Sequence, residues 1–195
     1  MIKILTINCS PKKDGNTAKL LKIFQSEADR IGLEVVPINL YEEKEDFFHG
    51  KLDQKVKKLT RVQALMSKSD GFVIATPTYW FNTPAILKNF IDNLTPLEEN
   101  NWMLEGKVGG FIVYEPQGGG VEVLKNLAMT FNHMGVAIAP YSLIFYRGRQ
   151  DKWALADIKL LARVMKAEVE AQKKLIDDKV YDILPDDNKL RESID

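Results

Sequence analysis

Little in this chain supports thiol or metal chemistry. It holds one cysteine, Cys9, and two histidines, His49 and His133. A single cysteine forms no internal disulfide and cannot ligate an iron–sulfur cluster. The histidines lack metal-ligand spacing, and neither is read as catalytic. His133 falls at a helix end, where an imidazole suits the negative end of the helix dipole. An excess of either charge is missing too. Acidic and basic residues number 27 each, so nothing argues for nucleic acid or a strongly charged partner. No run of about eighteen apolar residues is present, which argues against a membrane span. The N-terminus, Met1-Ile2-Lys3-Ile4-Leu5, has no signal-peptide layout and reads as a strand. A cytoplasmic protein is expected. With 195 residues, 45 % apolar and 28 % charged, one domain with a sizeable core is expected.

What is present is alternation. Ile2 to Asn8 is a short apolar run, as in a strand covered on both faces. Ala18, Leu21, Phe24, Ala28 and Ile31 then recur at helical spacing, and Gly32 stops that helix. Residues 33–40 read as a second strand, whose Pro37 favours a sheet edge because proline cannot donate to a ladder. Residues 41–51 read as a loop. Leu52, Val56, Leu59, Val62, Leu65 and Met66 form a second helical stripe. Residues 70–76 are a third strand and 77–82 a turn. Thr83 is expected to cap a helix with Pro84 at its first position and Pro96 at its end. A polar loop at 97–106 holds Trp102. Residues 107–114 are a fourth strand, 115–120 a glycine-rich turn, and 121–134 a helix ended by Gly135. Residues 136–146 are a fifth strand. Asp151 caps a last helix reaching about Ile176, and a polar tail follows at 177–195.

Strands alternating with helices imply a doubly wound α/β fold, because parallel neighbours need crossover connections. The edge proline in strand two suits the order 2-1-3-4-5. In that order ligands bind outside the carboxyl ends of strands one and three. The turns after strands one, three and four then converge at one site.

Ser10-Pro11-Lys12-Lys13-Asp14-Gly15-Asn16-Thr17 runs from strand into helix. A helix start offers unpaired N–H groups and partial positive charge to an anion. Ser10, Asn16 and Thr17 add neutral donors, and Lys12 or Lys13 a full charge. The turn has one glycine, so it is not the dinucleotide fingerprint, and no Gly-Lys-Ser/Thr makes it a Walker loop. The other reading is an ordinary turn with Asn16 as N-cap. Pro77-Thr78-Tyr79-Trp80-Phe81-Asn82 places three aromatics on a loop. They cover either a flat ligand or a protein interface. Glu115-Pro116-Gln117-Gly118-Gly119-Gly120 lets backbone approach a ligand closely, or is a flexible connection. A phosphate pocket beside a flat-ring pocket fits flavin mononucleotide, FMN.

Ser-Pro-Lys-x-x-Gly-Asn-Thr, then Pro-Thr-Tyr-Trp about sixty residues on, then Lys88-Asn89-Phe90-Ile91-Asp92, resembles the flavodoxin-like NAD(P)H-dependent FMN reductase family. That superfamily includes multimeric quinone reductases and iron–sulfur flavoproteins. The resemblance covers roughly residues 1 to 175. It implies a flavodoxin fold over residues 1–176, bound FMN, and a homodimer or homotetramer. Ser10, Lys12, Asn16 and Thr17 match the phosphate loop. Pro77, Thr78, Tyr79, Trp80 and Phe81 match the ring-binding loop, and Gln117, Gly118 and Gly119 the third. Cys9 stands where the family often has glycine and reads as a small strand-end residue. Iron–sulfur members cluster cysteines after strand two, where this chain has none.

Two functions follow. In one, an enzyme takes a hydride from NADPH or NADH onto the flavin and reduces a quinone, a nitro compound or free flavin. The cofactor carries that chemistry, so no side-chain acid or base is required. Tyr79, Trp80 and Phe81 frame the ring, with Trp102 lent across a subunit interface. In the other, the chain is a flavodoxin-type carrier docking on redox proteins. The balanced charge and the lysines of the first loop favour the enzyme. Arg147 and Arg149 read as a solvated turn or a nucleotide contact, and Asp92 and Asp157 as helix-surface charges. Lys12 and Thr17 are expected in an exposed turn, so that their replacement weakens FMN more than the fold.

Overall fold

The computed structural model describes residues 1–50, 58–148 and 151–183. Strands β1 (Lys3–Asn8), β2 (Glu34–Asn39), β3 (Gly71–Pro77), β4 (Val108–Tyr114) and β5 (Ala137–Tyr146) form one sheet, order β2-β1-β3-β4-β5. Every pairing is parallel. The flavodoxin-like doubly wound architecture is as expected, with Pro37 on an edge strand. Leu52 and Val56 of the expected second stripe, Arg149, and residues 184–195 of the tail lie outside the described residues.

Two cores flank the sheet. On one face α1 (Asn16–Arg30) and α6 (Lys152–Asp177) bury Phe24, Leu161 and Met165 against Ile4, Val73 and Ile112. Glu27 ties the two helices together, accepting from Arg30 Nη2 at 2.6 Å and Arg163 Nε at 2.6 Å. On the other face α2 (Arg61–Lys68), α3 (Ala85–Asp92), α4 (Thr95–Glu99) and α5 (Gly120–His133) cover Leu5, Ile7, Phe72 and Phe111. Phe72, Phe111 and Phe131 pack as a ring trio with centroids 4.9 to 6.3 Å apart.

Several local expectations change. Gly15, not Asn16, is the N-cap of α1, and Asn16 is its first helical residue. Pro84 is the N-cap of α3, one position before the helix, and Thr83 is not. Pro96 does not mark the end of that helix. It lies in the first turn of α4, where its missing N–H has no partner to lose. The 97–106 segment is thus partly helical, with Leu97 and Leu104 fully buried. α2 starts late, at a capping box between Thr60 and Gln63. A short 3₁₀ turn, Leu40–Glu42, follows β2, and another, Val180–Ile183, opens the tail. There Tyr181 donates its hydroxyl to Gln172 Oε1 at 2.5 Å, holding the turn to α6. β5 is irregular. Between the pairs Gly109–Ile138 and Phe111–Leu143, the single Gly110 faces four residues, Ala139 to Ser142, and Tyr141 has φ 60°.

Candidate functional site

In an all-parallel sheet the loops after β1, β3 and β4 leave from one edge. Cys9 N–H donates to the Ala75 carbonyl at 2.8 Å, and Thr78 N–H to the Tyr114 carbonyl at 2.9 Å. The three loops therefore stand side by side.

The first loop is organised by a residue the sequence did not mark. The Asn8 side-chain oxygen accepts from Ser10 N–H at 3.2 Å and from Thr17 Oγ1 at 2.9 Å. Ser10 Oγ accepts from Lys12 N–H, and Asn39 Nδ2 donates to the Ser10 carbonyl, each at 3.2 Å. Ser10 and Thr17 are buried, so Thr17 does not sit in an exposed turn; Lys12 and Asn16 are exposed. The start of α1 has no side-chain cap and no carboxylate in its first turn. Its N–H groups and dipole are open to an anion. Gly15 sits tight: a Cβ there would meet Lys12 Cβ at 3.0 Å. Lys13 is paired with Glu42 on the rim of a groove of about 460 Å³ between α1 and β2. Lys12 has no ion-pair partner among the described residues and is the lysine left for a phosphate.

The second loop is a two-residue hairpin turn. Tyr79 and Asn82 exchange N–H···O bonds at 2.9 and 3.0 Å around Trp80 and Phe81. Trp80 has φ 49° and Phe81 φ 60°, the both-positive pattern of a type I′ turn. That turn favours Asn-Gly, and a left-handed bulky residue costs roughly 1–2 kcal/mol. The Trp80 side chain is left 95 % exposed. Asn82 Oδ1 accepts from Thr83 N–H at 2.8 Å and fixes the exit into α3.

The third loop closes on the second. Thr78, Tyr79, Trp80 and Phe81 face Pro116, Gln117 and Gly118 across a cleft of about 390 Å³. Gly118 (φ 116°) and Gly119 (φ 86°) adopt backbone that glycine alone accepts easily. Pro77, by contrast, is buried as the last residue of β3.

The weaker candidates are accounted for. Cys9 is fully buried, and burial pushes its thiol up, so it stays protonated and inert. Burial, with Tyr79 and Cys9 nearby, also raises the Tyr41 hydroxyl. Arg147, directly after β5, keeps a largely exposed side chain, as a solvated turn requires, and pairs with Glu115. Trp102 precedes β4 at the opposite sheet edge, edge-on to His133 at 5.9 Å. His49 contacts Phe47 in the same way at 5.5 Å. Asp92 pairs with Lys88. Among the described residues no metal-binding cluster is found, and no helix is long and apolar enough to cross a membrane.

An uncapped helix start with neutral donors and one free lysine fits a phosphate monoester. An aromatic-walled cleft beside it fits a flat ring. FMN presents both, so these residues fit it.

Known proteins resemble this chain in sequence and in fold. An iron–sulfur flavoprotein of Archaeoglobus fulgidus is 31 % identical over 150 residues, 73 % of this chain and 74 % of that one. Its name includes a cluster for which this chain's single cysteine provides no ligand set. Among solved structures, RosB with a bound riboflavin-phosphate intermediate superposes with TM-score 0.73 at 13 % identity, covering 89 % of this chain and 81 % of that chain. A flavodoxin from the domain Archaea has TM-score 0.63 at 16 % identity, covering 87 % and 99 %. Residues 2–148 match the family described as NADPH-dependent FMN reductase, and the chain belongs to that family.

Proposed function

We propose that the chain is an FMN-dependent NAD(P)H oxidoreductase of the quinone-reductase type, passing electrons to a quinone, a nitro compound or free flavin. The observation that carries this is the pairing of an open helix start with an aromatic cleft on one sheet edge. Ser10, Lys12, Asn16 and Thr17 take the phosphate. Pro77 to Phe81, with Gln117, Gly118 and Gly119, border the ring. Bound FMN supplies the hydride-accepting ring; the protein binds, orients and shields it. No side chain need act as acid or base. NADPH or NADH and the acceptor take turns in the same cleft, between Trp80 and Gln117.

Residues 1–176 form the flavin-binding unit, and 177–195 a polar C-terminal tail. The exposure of Trp80, Phe81 and Trp153 supports a homodimer or homotetramer that covers them. A cytoplasmic setting suits a nicotinamide donor and one unpaired thiol.

The test is anaerobic. The protein is loaded with FMN, NADPH and then NADH are added, and flavin absorbance is followed. Rapid bleaching by either nucleotide is expected. Flavin that only dithionite bleaches would overturn the reductase in favour of a one-electron carrier.

A further inference from the structure

The third loop is held by a carboxylate that no motif marks. Glu115, directly after β4, is 3 % exposed. Its N–H donates to the Tyr146 carbonyl at 3.0 Å. Its Oε2 accepts the Gly120 N–H at 2.6 Å, and its Oε1 accepts Arg147 Nε at 2.7 Å. A Cβ at position 120 would stand 2.5 Å from that Oε2, so glycine there lets the carboxylate reach the start of α5. The loop thus leaves β4 at Glu115 and returns, at Gly120, to the same side chain. Arg147 lies 4.8 Å over the Phe145 ring, which steadies the clamp from β5.

We propose that Glu115 is a positioning residue for the flavin-ring half of the site. By closing the third loop on itself it sets where Gln117 and Gly118 face Tyr79 and Phe81. The inference rests on the reading of that cleft as a flavin-ring site. A short loop pinned at both ends has few conformations to lose when a ring docks, so pinning raises affinity. The carboxylate also neutralises the positive end of α5. The start of α5 then does not compete with α1 for the phosphate of a flavin mononucleotide.

Wild type, Glu115→Ala, Glu115→Gln and Arg147→Gln would be titrated with FMN and with riboflavin, which has the ring but no phosphate. Visible circular dichroism of the bound flavin would be recorded. Glu115→Ala should weaken both ligands alike by about tenfold, about 1.4 kcal/mol, and alter the dichroism. Glu115→Gln, which keeps an acceptor for Gly120, should recover part of this, and Arg147→Gln should shift both ligands in the same direction. Variants matching wild type for both ligands, with unchanged dichroism, would overturn the proposal. So would a loss confined to FMN, because that places the effect at the phosphate. If Glu115→Ala does not fold, Arg147→Gln, at an exposed side chain, decides on the same criteria. Wild type that binds neither ligand overturns the flavin reading and the inference together, whereas wild type that binds both separates the two.

Discussion

Gly119 lies against the backbone of Phe81: a Cβ at position 119 would stand 2.2 Å from the Phe81 carbonyl oxygen. No side-chain motion relieves that contact, because both partners are main chain. Gly119→Ala must therefore part the second and third loops, and its φ of 86° adds strain. We expect a loss of about 1–3 kcal/mol in unliganded stability by urea denaturation, and weaker FMN binding. Unchanged flavin affinity would refute the joined cleft.

Lys12 and Thr17 should separate binding from stability. Lys12 is exposed and bonds no carboxylate among the described residues, so Lys12→Ala should weaken FMN while the melting temperature holds. Thr17 is buried and donates to Asn8, so Thr17→Ala should weaken FMN and also cost about 1 kcal/mol of stability. The phosphate-loop assignment fails if both variants keep the wild-type dissociation constant.

Trp80 offers the opposite trade. Glycine accepts the left-handed turn freely, and an indole that is almost wholly exposed loses little burial on removal. Trp80→Gly should stabilise the unliganded protein by about 1 kcal/mol while loosening the flavin. Calorimetry with and without FMN checks both signs; a destabilised free protein would show that the turn is not strained.

Acid should loosen the contact between α1 and α6. Hydrogen bonds from Arg30, then Arg163, hold the Glu27 carboxyl at about 2, against an ordinary 4.5. The folded value lies below the unfolded one. Its stabilisation is therefore complete above about 4.5 and fades as pH falls toward 2. Melting temperatures across that window should fall more steeply for wild type than for Glu27→Gln, and parallel curves would remove Glu27 from the account.

Cys9 should be silent to alkylating reagents in the native protein and react fully once unfolded, since it is sealed from solvent and protonated. Labelling followed by mass measurement with and without denaturant tests this. Fast native labelling would mean that β1 opens beneath the first loop.

The strand order was open to inference because apolar runs alternate with amphipathic ones and Pro37 marks an edge. The turns were located but not understood. Propensity assigns left-handed turns to glycine and asparagine, so nothing in Trp80-Phe81 announces one. Gly118 to Gly120 read as room for a ligand or as a flexible connection. In the fold Gly119 also makes room for Phe81, and Gly120 for Glu115. Asn8 looked like the end of a strand, and only the fold brings Ser10 and Thr17 to its amide. The signal nearest to legible was Glu115 itself, an acid just before a helix that begins with glycine. The four residues of β5 opposite Gly110 carried one sequence signal, Pro140, because proline inside a strand marks an edge or a bulge.

That kink at Ala139 to Ser142 has a consequence for self-association. Strand-to-strand growth needs a straight margin of free donors and acceptors, and a bulge with proline spoils one. Pro37 spoils the margin on the other flank. The sheet is blunted at both sides against polymerising into a ribbon, which leaves helices and loops as the surfaces open to a second copy.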